Sequence, residues 1–213
     1  MTTAARPRSE RRAPVGQSNA ARTSTLAEST RNRGAALRVF IPLLVGVLSF
    51  IAFYPALSAG FVNFDDGKLL QQNMGYQGLS SQHLEWMFTT TYMGHYQPLT
   101  WLSYAVDYKI SGDDPHGYHR TNLILHALNA VLFYFVALRL LAMACSIREP
   151  NGVPLTARSE DRGSHVAAAV AALLFAVHPL RVESVAWVSE RRDVLSVFFL
   201  LAACLAFLKS VAA

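Results

Sequence analysis

Four apolar stretches constrain this chain more than any other feature. Residues 39–59 read VFIPLLVGVLSFIAFYPALSA, 21 residues without a charged side chain. At 1.5 Å per residue such a helix reaches about 32 Å, enough for a bilayer core. Residues 121–145 form a second stretch, 166–180 begin a third and 194–212 a fourth. The third and fourth have no polar face, so they do not suit the surface helices of a soluble domain. The composition agrees. AVILMFWYC residues make up 52% of the 213-residue chain and charged residues only 15%, against about 25% in soluble domains. These observations predict an all-α, multi-pass transmembrane helical bundle with four spans.

The charge is unevenly placed. Residues 1–38 hold eight arginines against Glu10 and Glu28. They lack apolar periodicity, and we read them as a disordered basic tail. The tail has no interleaved aromatics and adjoins a span, so it argues for membrane topology rather than for nucleic acid. The Arg11–Arg12 pair lies too far from the apolar run for twin-arginine export. The positive-inside rule places the tail in the cytoplasm. Residues 60–120 then form a large, acidic outer loop with short helices. Residues 39–213 form one transmembrane region. Trp86, Trp101 and Trp187 all fall on its outer side, where amphipathic rings suit the interface. Cys145 and Cys204 sit in apolar segments and read as small buried hydrophobes.

Three patterns carry chemistry. Asp65–Asp66 follows the first span in GFVNFDDG. Adjacent carboxylates need a proton or cation nearby, which suggests a general base beside a cation- or acceptor-binding partner. A solvated turn is the plainer alternative. His119, Asn122, His126 and Asn129 line one face of the second span; they either glue helices together or line a cavity. Residues 181–193, RVESVAWVSERRD, place Arg181, Arg191 and Arg192 on the outer side, against the charge rule, with Glu183, Glu190 and Asp193 beside them. Arginine forks bind phosphate, so this block reads as an anion site. Its plainer alternative is a self-neutralised interfacial helix with Glu183, Trp187 and Glu190 on one face. His95 and His178 read as outer-face polar residues of the same cavity. No HExxH or Cys/His cluster suggests zinc.

These blocks resemble a family. FVNFDDG, TTYMGHYQPLTWLSY, GYHRTNLILHALNAVLF and HPLRVESVAWVSERRDVLS are similar to the transmembrane-and-tetratricopeptide-repeat proteins, over about residues 60–209. Their membrane half is a GT-C-type glycosyltransferase related to protein O-mannosyltransferases. The resemblance implies a multi-pass enzyme that moves a sugar, mannose by analogy, from a polyprenyl- or dolichyl-phosphate donor to protein hydroxyls. It implies an active site facing the periplasm or lumen, and an acidic motif matching Asp65 and Asp66. Transfer chemistry then assigns Asp65 as base, Asp66 as acceptor or divalent-cation partner, and Arg181, Arg191 and Arg192 as phosphate ligands. A metal requirement stays open. The family's further spans and 34-residue repeats do not occur here, so we expect a fragment, or a module completed by the missing half or another membrane subunit. A non-catalytic assembly module is the alternative. Transport is disfavoured, since no span has a central acid. Ala- and Arg-rich usage favours a bacterial inner membrane over the endoplasmic reticulum.

Overall fold

Prolines and glycines set the ends of the long helices. A computed structural model describes residues 37–148 and 162–211. The basic segment before residue 37 lies outside that range, and so does the expectation that it is disordered. Helix α1, Leu37–Ala52, stops short of Pro55. Pro55 has no N–H and its ring clashes with the carbonyl one turn back, so the chain tightens into a 3₁₀ turn over Tyr54–Ser58. A π-helical turn over Gly67–Gln71 and a 3₁₀ turn over Met74–Tyr76 follow, and then two short helices, α2 (Ser81–Thr89) and α3 (Pro98–Ser111). Gly112 at φ 60 closes α3, a backbone that favours glycine. Pro115 then opens α4, Pro115–Arg148, as a first-turn proline can. Helix α5, Arg162–Val177, ends just before His178, which Pro179 biases away from helix. A six-residue helix α6 (Arg181–Ala186), a 3₁₀ turn (Val188–Glu190) and α7 (Arg191–Val211) complete the order.

Every element is helical or irregular. Among the described residues the only β feature is an isolated bridge between Tyr92 and His95. Among the described residues two helical stretches are long and apolar enough to cross a membrane, Pro115–Ala144 and Val188–Val211. The other two apolar helices, α1 and α5, are shorter; the 16 residues of α5 rise about 24 Å. The four expected spans thus become two full-length candidates and two short apolar helices.

Helix directions follow from the contacts. Phe53 meets His126 edge-on at 5.0 Å, while Gly46 sits against Val131, so α1 runs antiparallel to α4. His126 bonds the carbonyl of Ala176 and Tyr134 bonds the His165 ring, so α5 is antiparallel to α4 as well. Asn122 meets Arg191 and Asn129 meets Val194, so α7 runs parallel to α4. Helix α5 buries Ala168, Ala172 and Ala176, one face at i, i+4 and i+8. Small residues let its backbone approach α4 and the side chains of Tyr134 and Leu138.

The segment between α1 and α4 folds onto one end of this bundle, called here the loop end. Its core is aromatic. Tyr76, Trp101, Tyr104 and Tyr118 are fully buried with Met87 and Leu70. Trp101 meets Trp86 at 5.4 Å and Tyr92 at 5.9 Å, both edge-on. The interfacial expectation for the tryptophans therefore does not describe Trp101. Its ring has aromatic partners on several sides and is withdrawn from any interface.

Candidate functional site at the loop end

The loop end brings two distant motifs together. Asp66 is fully buried. Its Oδ2 accepts from the Val62 amide at 2.8 Å and its Oδ1 from the Ser189 amide at 3.1 Å. The acidic motif is thereby joined to the charged block 123 residues later. Phe64 and Trp187 flank the junction, with ring centroids 6.0 Å apart. Asp65 differs from its neighbour. It is half-buried, and no hydrogen bond or ion pair engages its carboxylate among the described residues.

The charged block is not one helix. Trp187 is extended at φ −92, ψ 119, between α6 and the 3₁₀ turn. Glu183, Trp187 and Glu190 therefore do not share a helical face. The Trp187 and Val188 carbonyls accept the amides of Glu190 and Arg191 in the 3₁₀ turn, and side chains from elsewhere bond the segment's carbonyls as well. Asn122 Nδ2 donates to Val185 O and Trp187 O at 3.4 and 3.3 Å. The Tyr104 hydroxyl donates to Val188 O at 2.8 Å.

Arg191 is fully buried, and its guanidinium is committed within the protein. Nε donates to Asn122 Oδ1 at 2.7 Å and Nη2 to Tyr118 O at 2.8 Å. Nη1 pairs with the Asp107 carboxylate and lies 3.4 Å from Ser103 Oγ. The Tyr104 ring packs 4.4 Å from the guanidinium carbon. Nothing in this arrangement presents a free fork to an anion. Arg192 is accessible and pairs with Glu190 Oε1 at 2.7 Å. Arg181 lies 4.9 Å over the Phe175 ring. It lines a small polar cavity with His126, Asn129, Ser184 and Asp193. That cavity has a free volume of about 10 Å³, near the room one water needs and too small for phosphate. Asp193 Oδ2 accepts from Ser184 Oγ at 3.1 Å. Glu183 is exposed.

The two expected histidines stand apart from this junction. His95 is exposed in a tight turn where Met93 and Gly94 both have positive φ. His178 is exposed and its Nδ1 accepts from the Leu180 amide at 3.3 Å. The His178 carbonyl accepts from the Arg181 amide at 2.8 Å, but among the described residues no side-chain hydrogen bond joins either histidine to Asp66 or to the charged block. Nor does any group of three or more His, Cys, Asp or Glu there form a set able to hold a metal ion. Both Asp66 oxygens already accept backbone amides, which leaves Asp65 as the one open carboxylate of the pair.

The polar stripe on α4 is wholly buried, and three of its four residues, Asn122, His126 and Asn129, bond neighbouring helices. Asn122 and Arg191 bond each other, His126 Nε2 donates to Ala176 O at 2.9 Å, and Asn129 Nδ2 donates to Val194 O at 2.8 Å. Sequence reasoning missed Asp107 and Tyr104. The available signal was periodicity: Thr100, Trp101, Tyr104 and Asp107 recur at helical spacing on the buried face of α3. An acid on an otherwise apolar face needs a cation partner.

An apolar groove lies between α1 and α4, lined by Leu43, Gly46, Val47 and Phe50 on one side and by Ile124, Ala127, Leu128 and Val131 on the other. Its free volume is about 310 Å³.

Comparison with known proteins gives a consistent answer. Protein O-mannosyl-transferase Tmtc3 of Drosophila melanogaster is 32% identical over 179 residues, 79% of this chain and 19% of that protein. Protein O-mannosyl-transferase TMTC4 of Homo sapiens is 32% identical over 180 residues, 79% of this chain and 23% of its own length. Protein O-mannosyl-transferase F38B6.6 of Caenorhabditis elegans is 25% identical over 197 residues, 85% of this chain and 25% of that protein. The chain spans about a fifth of the length of the curated relatives it matches. No protein-family model matches it, and no solved structure does. By this shared sequence the chain belongs to a TMTC-like protein O-mannosyl-transferase family.

Proposed function

We propose that this chain supplies the acidic site of an integral-membrane glycosyltransferase of GT-C type. The reaction moves a sugar, mannose by analogy with the relatives' names, from a polyprenyl- or dolichyl-phosphate to a protein hydroxyl. The observation that carries this reading is the junction of Asp66 with Ser189. It places an open carboxylate, Asp65, on the same end of the bundle as a charged arginine segment.

Asp65 acts as the general base. It takes the proton of the acceptor hydroxyl as that oxygen forms its bond to the sugar's anomeric carbon. The bond from that carbon to the phosphate oxygen breaks, and the lipid phosphate leaves with the electron pair. Arg192, with Arg181 nearby on α6, stabilises the departing phosphate. Arg191, Glu183, Glu190 and Asp193 serve the segment's fold and charge balance. No step is routed through a divalent cation. The groove between α1 and α4 suits the lipid chain, since its lining is apolar.

In this reading the loop end faces the periplasm or lumen and the basic segment faces the cytoplasm, with a bacterial inner membrane favoured. The test uses proteoliposomes with a radiolabelled mannosyl-phosphoryl lipid and an acceptor protein. Asp65→Asn is expected to lower transfer by about 10²–10⁴-fold. Transfer equal to the unmodified chain would overturn the assignment of Asp65.

A second reading has its own observation. The outward face of α1 is exposed and apolar, with Phe40 63% and Ile51 60% accessible. A membrane module that docks against further helices would present such a face. Co-expression with the remaining length of a TMTC relative separates the two. Assembly without transfer supports the module, and transfer dependent on Asp65 supports the enzyme.

A further inference from the structure

Five of the seven residues from Val185 to Arg191 are held by groups from elsewhere. Asn122 grips the carbonyls of Val185 and Trp187, Tyr104 grips that of Val188, and Asp66 grips the Ser189 amide. Arg191 closes the set by anchoring the start of α7 to α3 through Asp107 and to α4 through Asn122 and Tyr118. An anion-binding arginine keeps part of its fork free for the ligand. This one is fully buried with its donors directed at fixed protein oxygens. A buried ion pair costs desolvation that a well-packed apolar pair would not. Its worth here lies in geometry, because one planar fork fixes three elements at once.

We propose that Arg191 is a positioning residue for the acidic pair: it holds the Val188–Glu190 turn so that the Ser189 amide fixes Asp66 and leaves Asp65 as the free carboxylate. The consequence for catalysis rests on the glycosyltransferase reading above. The consequence for the turn does not.

The test uses the full chain in lipid nanodiscs. Val188–Ser189 is the only Val–Ser pair in the sequence, so carbonyl-labelled valine with nitrogen-labelled serine reports that single amide. Arg191→Lys keeps the charge on Asp107 but cannot reach Asn122 and Tyr118 together. It is expected to retain the helical circular dichroism signal while Ser189 amide exchange accelerates at least about tenfold. Donor turnover falls with KM unchanged, the pattern of a lost transition-state contribution. The double variant Arg191→Met with Asp107→Leu removes both charges and guards against simple unfolding. It is expected to melt near the unmodified chain while Ser189 exchange stays fast. Unaltered Ser189 protection in Arg191→Lys would overturn the proposal, and so would wild-type protection in the double variant. Failure of the enzymatic reading is separate: fast Ser189 exchange in Arg191→Lys, with transfer indifferent to Asp65→Asn, keeps Arg191 as the anchor of the turn and removes only the catalytic role of Asp65.

Discussion

Two adjacent carboxylates meet opposite fates at the loop end. Asp66 accepts two backbone amides and is buried, while Asp65 keeps its oxygens free. Asp66→Ala strands the buried Ser189 amide and frees the part-buried Val62 amide, and is expected to cost about 1–3 kcal/mol of stability. Asp65→Ala is expected to stay within about 0.5 kcal/mol of the unmodified chain. Urea melts of the two variants in the same detergent check the contrast, and equal losses would remove it. Gly75 offers a second residue-level test. A Cβ there would run into the Trp86 ring, so Gly75→Ala is expected to destabilise by about 1–3 kcal/mol through overpacking. Asp114 offers a titration. Its carboxylate accepts from the His116 ring at 2.6 Å and from the His116 amide at 3.1 Å. These bonds hold its pKa below the ordinary carboxylate range. A depressed folded pKa favours the fold above the unfolded value, and that contribution fades as pH falls through the folded one. Carbon-13 titration should place the Asp114 midpoint below that of a free aspartate, and His116→Ala should raise it part of the way, since the amide bond stays.

At the scale of elements, the polar stripe of α4 is interhelical glue. His126 and Asn129 each bond a carbonyl of a neighbouring helix. Such bonds in membranes contribute about 0.6 kcal/mol on average and up to about 1.7. Asn129→Leu is therefore expected to lower the melting temperature modestly without loss of helicity, read by circular dichroism. A collapse of the fold would show that the bond carries more than glue. Periodicity located this stripe and left open whether it faced a cavity or a partner helix. The answer needed the carbonyls opposite, which belong to residues some 50 to 65 positions away. Helix ends were partly legible. The second stretch reads from residue 121, while Pro115 already opens α4; the third reads on through Pro179 to residue 180, while α5 stops at Val177 because Pro179 biases His178 away from helix. The broken block at Trp187 was not legible, because Asn122, Tyr104 and Asp66, all distant in sequence, bond its carbonyls and its Ser189 amide.

At the scale of the molecule, the loop end gathers residues 61–66, α3, the start of α4 and residues 185–191 around one buried arginine. Orientation in the membrane is testable at this scale. In a chain with Cys145 and Cys204 replaced by serine, a cysteine at the exposed Ser80 is expected to react with an impermeant thiol reagent added outside intact cells. A cysteine placed before residue 37 is expected to react only after the membrane is opened. The reverse pattern would invert the topology and move the site to the cytoplasm.

The sequence by itself determined the helical class, the apolar helices, the charge asymmetry and the family blocks. Each is a property of consecutive residues: hydropathy over a window, a helical period, a proline's covalent limit. The tertiary structure alone decided which charged groups are available. Arg191 and Asp66 carry the same formal charges as Arg192 and Asp65, and their neighbours in sequence differ little. What separates them is burial beside fixed partners from distant segments: Asp107, Asn122 and Tyr118 for the arginine, and the amides of Val62 and Ser189 for the aspartate. A charge taken out of water must be matched by groups already in place, and only the packed chain puts them there.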